Sequence, residues 1–463
     1  MRKTLADIAY YVTDRIDYTE LDERTYVGID NMVPNRGGVT ASEYVPSVGQ
    51  YIAFRAGDIL IGNIRPYFKK VWLASFDGGC SPDVLCVRAK DGVSSLFLYA
   101  VLSQDNFFDY DVRGSKGSKM PRGDKNHIMA YPVPEIQSKE EVGLIINSIY
   151  RKIQNNNAIC ADLDAMAKLL YDYWFVQFDF PDENGKPYKS TGGKMVCNDG
   201  LKREIPEGWD VCALNSKISL ERGISYSSDN LVGGGIPMIN LGCFAIGGGY
   251  KDGNLKSYNG DYPETKIIHP YDLILCLTQQ TSIDPRKDVI GCSLLVPDVF
   301  LSDIVITQDM AKVVCSDELR YFLVQYINAS YFHRYITGFA SGSNILHLDV
   351  NGILRHITVI PPEGILKQYA NLVKPMWEKR SECMSENRQL ASLRDFLLPL
   401  LMNGQVTIQT ANAEEDSEPK MLNNTWYDKR FALWLENQGL AARGNVDRAT
   451  LREIFDAMDD DDK

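Results

Sequence analysis

The feature that most constrains this chain is that it is written twice. Gly117-Ser118-Lys119-Met120 is followed by Asp124, Asn126, a Pro132-Val133-Pro134 strand end and a long helical stretch. Gly342-Ser343-Asn344-Ile345, 225 residues later, is followed by Asp349, Asn351, an Ile360-Pro361-Pro362 strand end and a second helical stretch. Upstream the echo continues at offsets of 209 to 214, pairing Leu5 with Leu214, Ile29 with Ile239 and Asp58 with Asp272. The shared positions are mostly apolar or turn residues, and the segments between them diverge. A repeat this long predicts two equivalent modules. A common scaffold with unlike loops suits recognition of two different targets.

At 463 residues the chain has room for two or three domains. The short, polar start Met1-Arg2-Lys3-Thr4-Leu5-Ala6-Asp7 does not read as a signal peptide. No apolar run reaches the roughly 18–20 residues of a membrane helix. The ten cysteines form no Cys-x-x-Cys pair and read as free thiols of a reducing cytoplasm. The five histidines lack metal-ligand spacing. The net charge of −12 opposes a simple basic nucleic-acid binder. Local clusters decide DNA contact more than the total does.

Residues 1–136 read as short strands, among them Asp58–Ile64, Val71–Ala74 and Val84–Arg88, with a helix over Ser94–Phe108. Residues 137–178 read as one long helix and 179–204 as an aperiodic linker. Residues 205–362 read as the second module, with strands Leu273–Leu277, Val289–Val296 and Ala311–Val314 and a helix over Leu319–Tyr335. A second long helix occupies 363–404, and 405–463 reads as an acidic linker and short helical tail. The first helix carries a heptad seam of Ile146, Ile149, Ile153, Asn156, Cys160, Leu163, Ala167, Leu170 and Trp174. The second carries Val373, Met376, Arg380, Cys383, Asn387, Leu390, Arg394, Leu397 and Leu401, each 227 residues after its counterpart. Matched seams predict that the helices pack on each other as an antiparallel coiled coil. The bland alternative is that each helix packs on its own module. The fold class is α+β: two similar mixed modules separated by two long helices.

The run Leu170-Tyr171-Asp172-Tyr173-Trp174-Phe175-Val176-Gln177-Phe178-Asp179-Phe180-Pro181, then Gly185-Lys186-Pro187-Tyr188-Lys189-Ser190, then Ile205-Pro206-Glu207-Gly208-Trp209, resembles the DNA-specificity subunit of type I restriction–modification systems. So does the order module, helix, module, helix. The resemblance covers about residues 1–404; the tail matches nothing familiar. It implies two target recognition domains, each reading one half of a bipartite, asymmetric site in double-stranded DNA. It implies that the helices set the spacer and dock two methyltransferase subunits, which motor/nuclease subunits then join. It implies no catalysis in this chain. S-adenosylmethionine, ATP and magnesium would belong to the partners, in the cytoplasm of a bacterium or archaeon.

Candidate DNA contacts follow the repeat. Arg113, Lys116, Lys119, Arg122 and Lys125 place five cations in thirteen residues, with glycines that let the backbone approach a surface. The matching stretch of the second module offers Ser343, Asn344 and His347. Asn63, Arg65, Lys69 and Lys70 interleave with Tyr67 and Phe68 after a strand. Their counterparts are Gln279 and Gln280, with Arg286 and Lys287 beyond; Gln can read adenine and Arg guanine. The bland readings are a solvated loop and a strand edge protected by Lys. Among the seam residues, Ile153, Leu163, Leu170, Trp174, Met376, Leu390, Leu397 and Leu401 read as spacer packing.

Several chemistries drop out. Gly114-Ser115-Lys116-Gly117-Ser118-Lys119 lacks the spacing and the final Gly-Lys-Ser/Thr of a phosphate loop. Ile360-Pro361-Pro362-Glu363 lacks the Asn or Asp that an amino methyltransferase aims at adenine. Pro82-Asp83 has no following Glu-x-Lys to complete a nuclease site. The rival reading is a structural adaptor whose long helices bind proteins, which the negative charge favours.

Overall fold

The computed structural model describes residues 3–231, 233–252, 254–280, 288–406 and 408. Arg286, Lys287 and nearly all of the 405–463 tail therefore lie outside the described residues. The chain divides into two compact units. One is Met1–Asn155 together with the chain from Glu386 on; the other is Asn156–Ser385.

The first unit opens with helix α1 (Leu5–Ile8) and carries strands β1 (Ala9–Tyr11), β2 (Arg15–Asp17), β3 (Tyr26–Val27), β4 (Gln50–Phe54), β5 (Ile59–Gly62), β6 (Val71–Leu73), β7 (Gly78–Cys80) and β8 (Val84–Ala89). They form two four-stranded sheets, in the orders β1-β8-β5-β6 and β2-β4-β7-β3. Strand β5 is apolar on both faces, and every residue of it is buried. That is what a central strand covered on both sides requires. Helices α2 (Ser95–Leu102), α3 (Asp105–Gly114) and α4 (Lys125–Met129) follow, then the long helix α5 (Lys139–Tyr171).

The second unit adds a hairpin of β9 (Met195–Asn198) and β10 (Arg203–Pro206), then β11 (Asp210–Ala213), β12 (Ser219–Arg222), β13 (Ile236–Ile239), β14 (Lys256–Tyr258), β15 (Leu273–Cys276), β16 (Thr278–Gln280), β17 (Ser293–Leu295), β18 (Val305–Ile306) and β19 (Met310–Val314). Helices α6 (Asp317–Asn328) and α7 (Ser330–Thr337), strands β20 (Ala340–Ser341) and β21 (Ile345–Leu348), helix α8 (Val350–Leu354), strand β22 (Ile357–Ile360) and the long helix α9 (Glu363–Met402) complete the described chain. Its main sheet runs β12-β19-β15-β17, the same order as the first unit's main sheet.

The echo reaches individual interactions. Asp58 and Asp272 each accept from the backbone N–H three residues earlier, Arg55 and His269. Each also holds a cation on the neighbouring strand: Arg88 grips Asp58 with two hydrogen bonds, and Lys312 sits 2.6 Å from Asp272. Ser94 caps α2 through the N–H of Phe97, and Ser316 caps α6 through that of Leu319. A serine at this position satisfies one of the orphan N–H groups of a helix start.

Two expectations change. Each predicted single helix, over 94–108 and over 319–335, is two helices. Gln104 and Ala329, both in extended backbone, interrupt them. Arg36, buried, donates to the carbonyl of Ser103 and so stabilises the break in the first unit. The segment 179–204 is also folded rather than a bare linker. Phe178 and Phe180 pack on Trp209, Asp179 is hydrogen-bonded by Ser190, and the β9–β10 hairpin follows.

The long helices pack as the seams predict, and they pack on their modules too. In the first unit Val142, Ile146, Ile149 and Tyr150 of α5 share one core with Leu390, Leu393, Leu397, Leu401 and the sheet residues, and Lys152 pairs with Glu386 at 3.1 Å. In the second unit Tyr369 donates to the carbonyl of Ala167, Arg380 pairs with Asp164 at 3.0 Å, and Trp174 lies 5.8 Å from Tyr369. Position rises along α5 as it falls along α9, so the pairing within each unit is antiparallel. Leu397 and Leu401 are buried in the first unit and Trp174 in the second. Ile153, Leu163, Leu170 and Met376 are half-buried.

Candidate nucleic-acid interface

Each unit builds the same small ladder beside its main sheet. In the first, Arg122 bridges to Ile64 on one side and to Lys116 on the other. In the second, His347 pairs with Thr278 on one side and with Ser341 on the other. Gly117 and Gly342 open the connecting turns at φ 97° and 135°, a region that favours glycine. Asp124 then caps α4 through Asn126 and His127, and Asp349 caps α8 through Asn351. The sequence motif Gly-Ser…Asp-x-Asn is therefore a turn, a β-bridge and a capped helix in the first unit, and a turn, strand β21 and a capped helix in the second.

The two turns expose unlike side chains. Lys119 stands at the first tip, exposed. Arg113 is exposed at the end of α3, its Nε donating to Asp109 O of its own helix. Lys116 pairs with Asp124, whose carboxyl is held down to about 2 by that lysine and by the Asn126 and His127 N–H groups. Arg122 reaches Asp83 at 3.0 Å while 59% exposed. The second turn exposes Ser343, Asn344 and His347, with Gln280 alongside on β16.

Other predicted contacts are engaged inside the protein. Gln279 is buried; its Oε1 accepts from the N–H groups of Val289 and Ile290, and its Nε2 donates to Asp288. It secures its own loop. Lys69 pairs with Asp105 at 2.8 Å, and Lys70 donates to Ile29 O at 2.6 Å with burial drawing its pKa down. Asn63 is buried beneath the ladder. Arg65 has a left-handed backbone (φ 52°), donates its N–H to Pro121 O, and buries an Nε that has no hydrogen-bond partner among the described residues.

Under the ladder the two units differ in kind. The N–H of Gly123 donates to Asn63 O, and the N–H of Leu348 donates to Leu277 O, which makes these positions equivalent. The second unit fills the space with Leu277, Leu348 and Ile336, all buried. The first has Asn63, Gly123 and, 225 residues before Ile336, Asp111. Neither carboxylate oxygen of Asp111 nor Oδ1 of Asn63 has a hydrogen-bond partner among the described residues. Burial pushes the Asp111 carboxyl up to about 6. A Cβ on Gly123 would fall 2.4 Å from Asp111 Oδ1 and 2.8 Å from Asn63 Oδ1. Sequence reading missed Asp111; its signal was an acid where the repeat has isoleucine.

A second paired difference lies one helix away. A Cβ on Gly114 would strike His127, which stacks on Tyr110 at 4.0 Å. At the equivalent positions stand Phe339 and Gly352, and a Cβ on Gly352 would strike Phe339, which lies 5.1 Å from Tyr335. Small and large have exchanged places across one contact. Among the described residues no group of three or more His, Cys, Asp or Glu could hold a metal ion, and no helix is long and apolar enough to cross a membrane.

The fold and the paired turns define a class: an α+β scaffold with two similar modules on two long helices, each module exposing its own set of side chains at one turn. Known proteins of this class are its relatives. The chain is 24% identical over 332 residues to the type I restriction enzyme MjaIX specificity subunit of Methanocaldococcus jannaschii, covering 69% of this chain and 71% of that protein. It is 20% identical to the HindI specificity subunit of Haemophilus influenzae, covering 87% and 98%. Its fold is similar to the crystal structure of the type I restriction–modification S subunit from M. genitalium, with TM-score 0.50, 12% identity, and coverage of 87% and 95%. No family model matches. These homologues are specificity subunits of type I restriction–modification systems, the family that the sequence resembles.

Proposed function

We propose that this chain is the sequence-reading subunit of a type I restriction–modification complex. Each module reads one half of a bipartite site in duplex DNA, and α5 and α9 set the gap between the halves. The observation that carries this reading is the repeated ladder and glycine turn with unlike exposed side chains: one scaffold, two readers. The first turn offers Lys119 and Arg122 for phosphates, with Arg113 able to reach guanine. The second offers Gln280, Asn344 and His347. Spans of 33 and 40 residues give α5 and α9 lengths of about 50 and 60 Å. That exceeds one turn of B-DNA, about 34 Å. Leu144, Met166 and Leu169 on α5 and Leu372 and Phe396 on α9 are exposed apolar residues suited to docking methyltransferase subunits. Catalysis, with its S-adenosylmethionine, ATP and magnesium, belongs in this reading to those partners and to motor/nuclease subunits.

Methylome sequencing of the host with and without the gene tests it. A bipartite adenine-methylation motif should vanish with the gene. Exchanging residues 205–362 for those of a relative should change one half of the motif only. A motif that survives deletion of the gene would exclude the reading, and retention of methyltransferase but not of DNA on affinity columns would favour an adaptor.

A further inference from the structure

The segment after β5 combines exposed aromatics with an unusual backbone. Pro66–Phe68 is a single 3-10 turn, entered by Arg65 at φ 52° and left by Lys69 at φ 51°. Two non-glycine residues in left-handed backbone around three residues are strained, and such strain persists only where surrounding structure enforces it. The enforcement is visible. The N–H groups of Asn35 and Arg36, themselves at φ 55° and 62°, donate to the carbonyls of Phe68 and Lys69. Arg36 is anchored to Ser103 O and Asp105, and Lys69 to Asp105. On the other flank the N–H of Arg65 donates to Pro121 O, next to the cationic turn.

This bracing presents aromatic rings. Tyr67 is 48% and Phe68 38% exposed, with ring centroids 4.8 Å apart. Their cationic neighbours are already engaged, Lys69 by the Asp105 carboxylate and Lys70 by Ile29 O. A braced turn with its charges paired and two touching rings exposed presents surface for stacking on flat apolar faces. Base pairs are such faces, and the adjoining Lys119 and Arg122 give the attraction for phosphate that would bring them near.

We propose that Tyr67 and Phe68 are a wedge for the DNA base stack. Tyr67 enters a base step in the half-site read by the first module, and Phe68 supports it from behind. This rests on the proposed function above and assigns the turn a role that charge does not supply. The wedge unstacks its step and so favours steps that unstack readily, pyrimidine–purine above others.

The test uses the full chain in the complex that it forms, on a duplex carrying the motif from the methylome. 2-Aminopurine is placed in turn at each adenine of the first module's half. Wild type should brighten the probe at one step, and Tyr67→Ala should abolish that signal and weaken binding roughly tenfold. Tyr67→Trp should keep both, Phe68→Ala should lose part of each, and the salt slope should stay unchanged in all three. Arg122→Ala should do the reverse, flattening the salt slope by roughly 0.9 while keeping the fluorescence change. Because Tyr67 is half exposed, Tyr67→Ala should leave the melting temperature unchanged, and Phe68→Ala should lower it only slightly. If Tyr67→Ala and Phe68→Ala bind and brighten like wild type while Arg122→Ala weakens binding, the wedge is wrong and the DNA reading stands. If wild type binds no duplex, both fall.

Discussion

The two modules share a skeleton and differ in what fills it, and the difference lies beneath the paired ladder turns. The main sheets have the same strand order, the same buried aspartate–cation pair and the same serine-capped helix. Below the ladders one module has Leu277, Ile336 and Leu348, and the other has Asn63, Asp111 and Gly123. The apolar trio shows what the scaffold alone requires. The pair of buried acceptors Asn63 and Asp111 beside Gly123 departs from that apolar filling, and it lies under the turn that carries Lys119 and Arg122. Buried acceptors without partners destabilise. Stability and presentation of the reading turn are therefore set differently in the two modules.

Four experiments would break or sharpen this comparison. The largest effect belongs to the helices, where the modules should behave alike. Leu390→Asp in the first unit and Val373→Asp in the second each place a charge at a buried seam position and should cost about 3–5 kcal/mol in denaturant unfolding. A small effect at either site would mean that one unit does not depend on its half of α9.

Next comes Asp111. Its folded pKa of about 6 lies above the roughly 3.9 of an unfolded carboxyl, so the fold favours the protonated form. The wild type is then relatively most stable below that lower value and loses stability as pH rises through the upper one. Asp111→Ile should therefore stabilise the first unit by up to about 3 kcal/mol at pH 7.5, with a smaller gain at pH 4. Ile336→Asp should destabilise the second unit with the opposite trend. Equal stability of wild type and Asp111→Ile at both pH values would mean that the acid is satisfied in solution.

The exchanged pair offers a cycle. Gly114→Phe should destabilise by about 1–3 kcal/mol through overpacking against His127, and adding His127→Gly should recover much of it. Purely additive losses would show that the contact tolerates both large residues. The smallest effect separates neighbouring glutamines. Gln279→Ala should cost about 1–2 kcal/mol by leaving the Val289 and Ile290 N–H groups unpaired, whereas Gln280→Ala should leave the melt unchanged and weaken DNA binding.

Much of the scaffold was legible because periodicity and turn chemistry are local. The 227-residue register of the seams appears as antiparallel packing within each unit, and the Gly-Ser…Asp-x-Asn motif appears as a ladder turn and a capped helix. What was not legible depends on distant partners. The break at Gln104 is stabilised by Arg36, far away in the chain, and the folding of 179–204 depends on Phe178 and Phe180 meeting Trp209. The partners of candidate contacts were hidden in the same way: Lys69, Lys70 and Gln279 look available in sequence, and each has a partner within the chain. Asp111 was overlooked because a single acid on a short helix ordinarily faces water.

The swap between Gly114/His127 and Phe339/Gly352 has a consequence for inheritance. Repeated stretches within one gene invite recombination between the copies. A crossover falling between codons 114 and 127 would join Gly114 to the glycine of the other copy, leaving a hole beside Tyr110, or join Phe339 to histidine, forcing two rings into one space. Either hybrid would be destabilised beside its ladder turn. Two glycines placed out of step thus make each contact fit only the partner from its own copy.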